Sequence, residues 1–260
     1  MQILLTNDDG ITASGIKALA AELSPYHRIY LVAPDREQSA QGTAVTLRQP
    51  LRVKKVENIA AKVPTFAVEG TPGDSIILAL EELIKEDIDM VISGINQGAN
   101  LGDDILISGT VAAALQGYLR GIPSLAISAL KSDKNSLNIA AKLANLFAAA
   151  IHEGTLRDDF LLNINIPNLS IKDIKGIKVA RLAHKTHLDS VIKGNDGRHD
   201  YYWLVRNKIK LDAETDSDIG ILKKGYISVT PLHSNLFSRK PMKDLSAICD
   251  RLYTKLKATC

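Results

Sequence analysis

Cysteine is nearly absent: the 260 residues hold two, Cys249 and Cys260. Neither has a partner at metal-binding or redox spacing, which argues against a disulfide scaffold and fits a reducing compartment. The six histidines show no HExxH or similar pattern, and His184 and His187 fall in a polar stretch that reads as surface. Charge of one sign is scarce. Lys+Arg is 32 and Asp+Glu is 29, a net of 32 − 29 = +3, too weak to signal nucleic acid or an anionic membrane. Long apolar runs are missing too. The longest, around Leu143–Ile151, is interrupted by Asn145, and none approaches the roughly 20 residues that span a bilayer. The opening MQILLTNDDG has no basic n-region and no cleavable apolar stretch, so a cytoplasmic location is expected. The turn after the first strand holds only Gly10 and Gly15, so the GxGxxG fingerprint of a dinucleotide-dependent oxidoreductase is absent. With 45% hydrophobic residues and little net charge, the chain is no disordered polymer.

What is present is an alternation of strands and helices. Ile3–Thr6 is a short apolar run ending in a polar turn, and Ser14–Leu23 reads as a helix with Ile16, Leu19, Ala20 and Leu23 on one face. Strand-like Arg28–Ala33, Phe66–Val68, Met90–Ser93 and Ser124–Ser128 alternate with helical Ile76–Ile84, Val111–Leu119 and Leu137–His152. Runs such as ILLT and VIS are apolar throughout, as in strands covered on both faces. The pattern predicts an α/β fold: a mostly parallel sheet with helices on both sides. The last third differs. Leu161–Ile166, Ile177–Leu182, Tyr201–Val205 and Tyr226–Thr230 read as strands with few helices between them, a β-rich C-terminal elaboration. Lys185–Asp200 is polar and reads as a protruding loop or hairpin, and Lys243–Lys257 as a terminal helix. No repeat, low-complexity segment or linker divides the chain, so residues 1–260 are expected to form one domain.

In doubly wound sheets ligands bind beyond the carboxyl ends of the strands. Here those ends are polar. Asn7-Asp8-Asp9-Gly10 follows the first strand. Two adjacent carboxylates repel, and ionising both becomes favourable beside a cation. The same residues are also ordinary turn formers, and an Asp here would cap the helix at Ser14; taken alone, the turn reading is favoured. Asp35–Gly42 follows the second strand, and its Ser39 offers a neutral oxygen to a metal or a phosphate; alone, it reads as a solvated loop. Ser93–Asp104 holds three glycines and two asparagines, and Asn96 offers an amide oxygen suited to a hard cation; alone, it is an irregular loop. Its Asp103-Asp104 is a second acidic pair, of which one could cap a turn. Ser108-Gly109-Thr110 leads into an Ala-rich helix, as an N-cap first and as an anion-binding helix terminus second. Gly70–Ser75, GTPGDS, is a further turn, with Asp74 or Ser75 as its cap. Jointly, Asp8, Asp9, Ser39 and Asn96 make an all-oxygen set at one sheet edge. Such a set suits Mg²⁺, Mn²⁺ or Ca²⁺, and a phosphate pocket beside it points to hydrolytic phosphoryl transfer.

These segments resemble the SurE family of metal-dependent nucleotidases. The resemblance rests on NDDG (7–10), APDREQSAQG (33–42), GTPGDS (70–75), SGINQGANLGDD (93–104), SGTVAAA (108–114) and GIPSLAIS (121–128). It continues through NINIP (163–167), YYW (201–203), TDSD (215–218) and GYISVTPL (225–232). It implies a Rossmann-like three-layer sandwich and one divalent cation, Mg²⁺ or Mn²⁺. It implies hydrolysis of nucleoside 5′- and 3′-monophosphates and of short polyphosphate. By position, it implies metal ligands at Asp8, Asp9, Ser39 and Asn96, with both aspartates catalytic. Ser39, Asn96 and the Ser108, Gly109, Thr110 turn would contact the phosphate. It also implies a homodimer or homotetramer built by C-terminal exchange, for which Lys185–Asp200 and the terminal helix are the matching segments. Ile107 stands where the family commonly has an aromatic residue, and Ala112 and Gln116 where it commonly has Gly and Glu. A rival expectation from another class is a non-catalytic metal- or nucleotide-binding regulator on the same fold.

Overall fold

The fold is laid down by short apolar strands, each followed by a polar turn. The computed structural model describes residues 1–57, 59, 63–156, 159–184, 187–208, 214–235 and 248–253. In chain order the elements are β1 (Gln2–Thr6), α1 (Ser14–Leu23), β2 (Arg28–Pro34), β3 (Val53–Lys55), β4 (Thr65–Val68), α2 (Pro72–Leu78), β5 (Met90–Gln97) and α3 (Gly109–Tyr118). They continue with β6 (Ser124–Ala129), α4 (Lys134–His152), β7 (Leu161–Ile166), β8 (Ile177–Val179), β9 (His187–Asn195), β10 (Asp200–Lys208), α5 (Asp218–Lys223) and β11 (Ile227–Leu232). A π-helical turn, Ala79–Leu83, extends α2, and a 3₁₀ turn, Gly102–Leu106, precedes α3.

Among the described residues one sheet runs in the order β3-β4-β2-β1-β5-β6-β7-β11-β8. Its pairings are parallel except β3 with β4 and β11 with β7. The central strands are buried on both faces, which is why their sequences do not alternate. Ile16, Leu19 and Leu23 of α1 and Ile139, Ala140 and Leu143 of α4 pack on Ile3, Leu5, Ile92 and Leu125. On the opposite face Ile76 of α2 and Ala113 of α3 pack on Leu4, Val32 and Val91. The result is three layers. The chain winds outward from β1 through β2 to β4, then crosses back to place β5 against the other side of β1. The turns after β1 and β5 therefore diverge, and the strand order reverses between them.

Several boundaries differ from the sequence expectation. The helix expected at Ile76–Ile84 begins at Pro72, because Thr71, rather than Asp74 or Ser75, is the N-cap, and Asp74 closes a capping box with it. The helix expected from Leu137 starts at Lys134 with Asp133 as N-cap. Edge strand β3 carries two exposed lysines and had no apolar signature. Lys185–Asp200 is largely strand: β9 and β10 pair antiparallel as a separate two-stranded arm, which takes Tyr201–Val205 out of the central sheet. The strand expected over Ile177–Leu182 ends at Val179. Of the terminal helix expected over Lys243–Lys257, residues 248–253 are helical and the remainder lie outside the described residues, as do 185–186.

Candidate active site

Asp8 stands one residue beyond β1, after Asn7, and is 3% exposed. The chain does turn here, with Asn7 Nδ2 donating to the Gly10 carbonyl at 2.9 Å, but the expected cap is absent: α1 has Ala13 at its N-cap and no side-chain cap, so neither Asp8 nor Asp9 serves that helix. Instead the Thr110 hydroxyl donates to Asp8 Oδ1 at 2.6 Å. Gly109 lies against the same side chain. A Cβ added there would stand 2.7 Å from Asp8 Cβ and 3.0 Å from its Oδ2, so only glycine lets the start of α3 approach so closely. Ser108 is the N-cap of α3, its hydroxyl accepting from Val111 N–H at 3.2 Å. Gly109 and Thr110 occupy the first turn, where N–H groups have no intrahelical carbonyl. Asp9 is partly exposed, and its Oδ2 accepts from Gln97 N–H at 3.3 Å.

The other predicted residues close in from both sides. Gln38 N–H donates to the Asp8 carbonyl at 2.7 Å and draws the 35–42 loop over β1. The Ser39 hydroxyl donates to Glu37 at 2.9 Å, which leaves its oxygen lone pairs for a ligand. Asn96 lies within β5 rather than in the loop beyond it. The register shifts between Gly94 and Asn96, and the Gly94–Ile95 peptide is cis. Asn96 Nδ2 donates to the Gly98 carbonyl at 2.8 Å, so the amide oxygen is the atom left for a cation. Asp8, Ser39, Asn96 and Ser108 line one cleft of about 330 Å³. A larger groove, about 890 Å³, runs between α1 and α4, but Glu22 is its only carboxylate.

Burial pushes the Asp8 carboxyl above the usual carboxylate range, and the Thr110 hydrogen bond opposes that. Burial first, and the Asp8 charge second, push Asp9 to about 6. Glu37 adds to both effects, and among the described residues no lysine or arginine forms an ion pair with either aspartate. Two desolvated carboxylates beside each other without a counter-charge are a costly arrangement. A divalent cation would relieve it, and the neutral oxygens of Ser39 and Asn96 fit the same hard ion. Among the described residues no group of three or more His, Cys, Asp or Glu is placed to hold a metal.

The model of the family described as Survival protein SurE matches residues 3–189. The chain belongs to the SurE family. A relative in Dehalococcoides mccartyi strain CBDB1, named 5'-nucleotidase SurE, is 48% identical over 92% of this chain and 91% of its own length. One in Moorella thermoacetica, with the same name, is 42% identical over 97% and 98%. The crystal structure of the SurE protein from Aquifex aeolicus superposes with a TM-score of 0.81 at 36% identity, covering 96% of this chain and all of that one. Sequence reasoning missed several residues at this SurE-type cleft. Gln97, Asn100, Asp104 and Ile107 also line it. Asp218, fully buried, accepts from Gly102 N–H at 2.7 Å and Ala183 N–H at 3.0 Å, joining the cleft loop to the root of the β9–β10 arm. Its signal lay in the TDSD match, where a carboxylate precedes an apolar helical turn.

Proposed function

We propose that this SurE-family chain is a divalent-cation-dependent nucleotidase that hydrolyses nucleoside 5′-monophosphates to nucleoside and phosphate. The nucleotidase activity rests on family membership and on full-length relatives named 5'-nucleotidase SurE. The cation dependence is supported by one arrangement: buried Asp8 and partly exposed Asp9 are adjacent beyond β1, with no lysine or arginine ion-paired to either among the described residues. Asp8, Asp9, Ser39 and Asn96 would hold one Mg²⁺ or Mn²⁺. When bound, the cation supplies Lewis-acid neutralisation of phosphoryl charge and lowers the pKa of water in its shell. The chain's own groups do the rest. Asp8 is fixed by Thr110, so its free oxygen keeps one direction. Ser39, Asn96 and Ser108 contact the phosphate, and the Gly109 and Thr110 N–H groups meet its negative charge at the α3 terminus. Asp9, the more exposed carboxylate, is the group to accept or return a proton.

A site built around the phosphoryl group does not read which oxygen of the nucleoside carries it, so 3′-monophosphates and short polyphosphate fall within the proposal. The working form is a homodimer or homotetramer in the cytoplasm, with the β9–β10 arm as the assembly contact. Tyr202, Trp203 and Leu204 of that arm are exposed. Nucleic acid is no partner at +3 net charge. Among the described residues no helix is long and apolar enough to cross a membrane. Phosphate release from a panel of nucleoside monophosphates, with EDTA and after Mn²⁺ or Mg²⁺ is returned, tests the proposal. Activity lost and then restored supports it. Cation and nucleotide binding without turnover would favour the non-catalytic regulator instead.

A further inference from the structure

β7 is buried along its whole length, yet its sequence LLNINI places Asn163 and Asn165 on one face, both 0% exposed. Apolar side chains would serve an interior strand at lower desolvation cost, so two amides there need bonding partners. Their partner is the backbone of one loop residue, Asn100. Asn165 Oδ1 accepts from Asn100 N–H at 2.9 Å, and Asn165 Nδ2 donates to the Asn100 carbonyl at 3.0 Å. Asn163 Nδ2 donates to the same carbonyl at 2.8 Å. Asn100 Nδ2 in turn donates to Ser128 Oγ of β6 at 2.8 Å, and Gly98 N–H donates to the Ala129 carbonyl at 2.9 Å. The segment from Gly98 to Asn100 is thus gripped like an added piece of strand, although it belongs to the loop leaving β5. The Gly98 carbonyl held in this way is the acceptor for Asn96 Nδ2.

We propose that Asn165, assisted by Asn163, is a positioning residue for the cleft: by clamping Asn100 it fixes the Gly98 carbonyl, which turns the Asn96 amide oxygen toward the cation. The inference rests on the cleft being the cation site. Partners one bond removed from a ligand act in this way on metal affinity.

The test combines Asn165→Ala, Asn165→Asp, Asn96→Ala and the Asn96→Ala/Asn165→Ala double variant. Mn²⁺ affinity is read by calorimetry and loop amide exchange in the metal-free protein by mass spectrometry. Asn165→Asp keeps the acceptor for Asn100 N–H and sets an oxygen against the Asn100 carbonyl, so it serves where Asn165→Ala does not fold. Each single Asn165 variant is expected to weaken Mn²⁺ binding about 10- to 100-fold. Exchange should speed up in residues 97–102 while β1 stays protected. The double variant should bind Mn²⁺ no more weakly than Asn96→Ala alone, because Asn165 acts through Asn96. Additive losses, or wild-type affinity in Asn165→Asp, would overturn the inference and leave the cation site standing. Wild-type Mn²⁺ binding by Asn96→Ala would remove both.

Discussion

The cleft between β1 and β5 and the β9–β10 arm depart from the usual placement of side chains in opposite directions. In the cleft, a carboxylate is withdrawn from water: Asp8 is 3% exposed and has no ion-pair partner among the described residues. In the arm, apolar groups are presented to water: Trp203 is 66% and Leu204 80% exposed. Trp203 pairs with Ile192 and Leu204 with Val191, so both faces of the ribbon are apolar. Under the proposed function each region would be completed from outside this chain, by a cation in one case and by a second apolar surface in the other. The cleft is held by neighbouring strands and by hydrogen bonds from Thr110, Gln38 and Asn165. The arm is a separate two-stranded ladder, and a lone two-stranded ribbon is marginal in water.

The sharpest way to break this comparison is Asp9→Asn. It should lower nucleotidase turnover by about 10³-fold, since the charge that places the cation is gone. The same change should raise the melting temperature of the metal-free protein, because it removes a desolvated charge. Lower metal-free stability together with wild-type turnover would show that the pair is an ordinary turn. Thr110→Val comes next. It deletes the 2.6 Å bond to Asp8 at nearly constant volume and should cost about 10-fold in kcat/KM and in Mn²⁺ affinity. For the arm, Ile192→Ser/Trp203→Ser should shift sedimentation to smaller species while Mn²⁺ affinity stays at the wild-type value. An unchanged assembly would move the contact elsewhere.

The smallest expected effect is a pH dependence of stability. Asp9 sits near 6 in the folded metal-free protein, above its unfolded value of about 3.9. Between those values Asp9 holds more proton in the native state than in the unfolded one, so its own contribution to stability is fully present below about pH 4 and is lost as pH rises through 6. Screening at this partly exposed group limits the loss to about 1 kcal/mol. Thermal melts from pH 4 to 7.5 should show the decline, and saturating Mn²⁺ should reverse its sign, because a bound cation favours the charged form.

Much of the fold and part of the cleft are legible in the sequence. The apolar runs at 3–6, 28–33 and 90–93 fixed the central parallel strands, and the polar residues at their ends placed Asp8, Ser39 and Asn96 at one edge. Period and composition carry that much information. They do not carry long-range hydrogen bonding. Thr110 read as a phosphate contact, and nothing local says that its hydroxyl binds a carboxylate 102 residues earlier. Asn163 and Asn165 read as polar residues in a strand because their partner, Asn100, is more than 60 residues away. The start of α2 was misplaced for a nearer reason: Pro72 and Gly73 look like breakers, yet Pro is well suited to the first turn of a helix.

The parallel sheet also has a practical side. The cleft residues gather at the carboxyl ends of β1, β2 and β5, whereas Met1 lies just before β1 at the other end, about 17 Å away for a five-residue strand. A tether through the amino terminus would therefore seat the molecule on a sensor surface with its mouth facing the flowing solution.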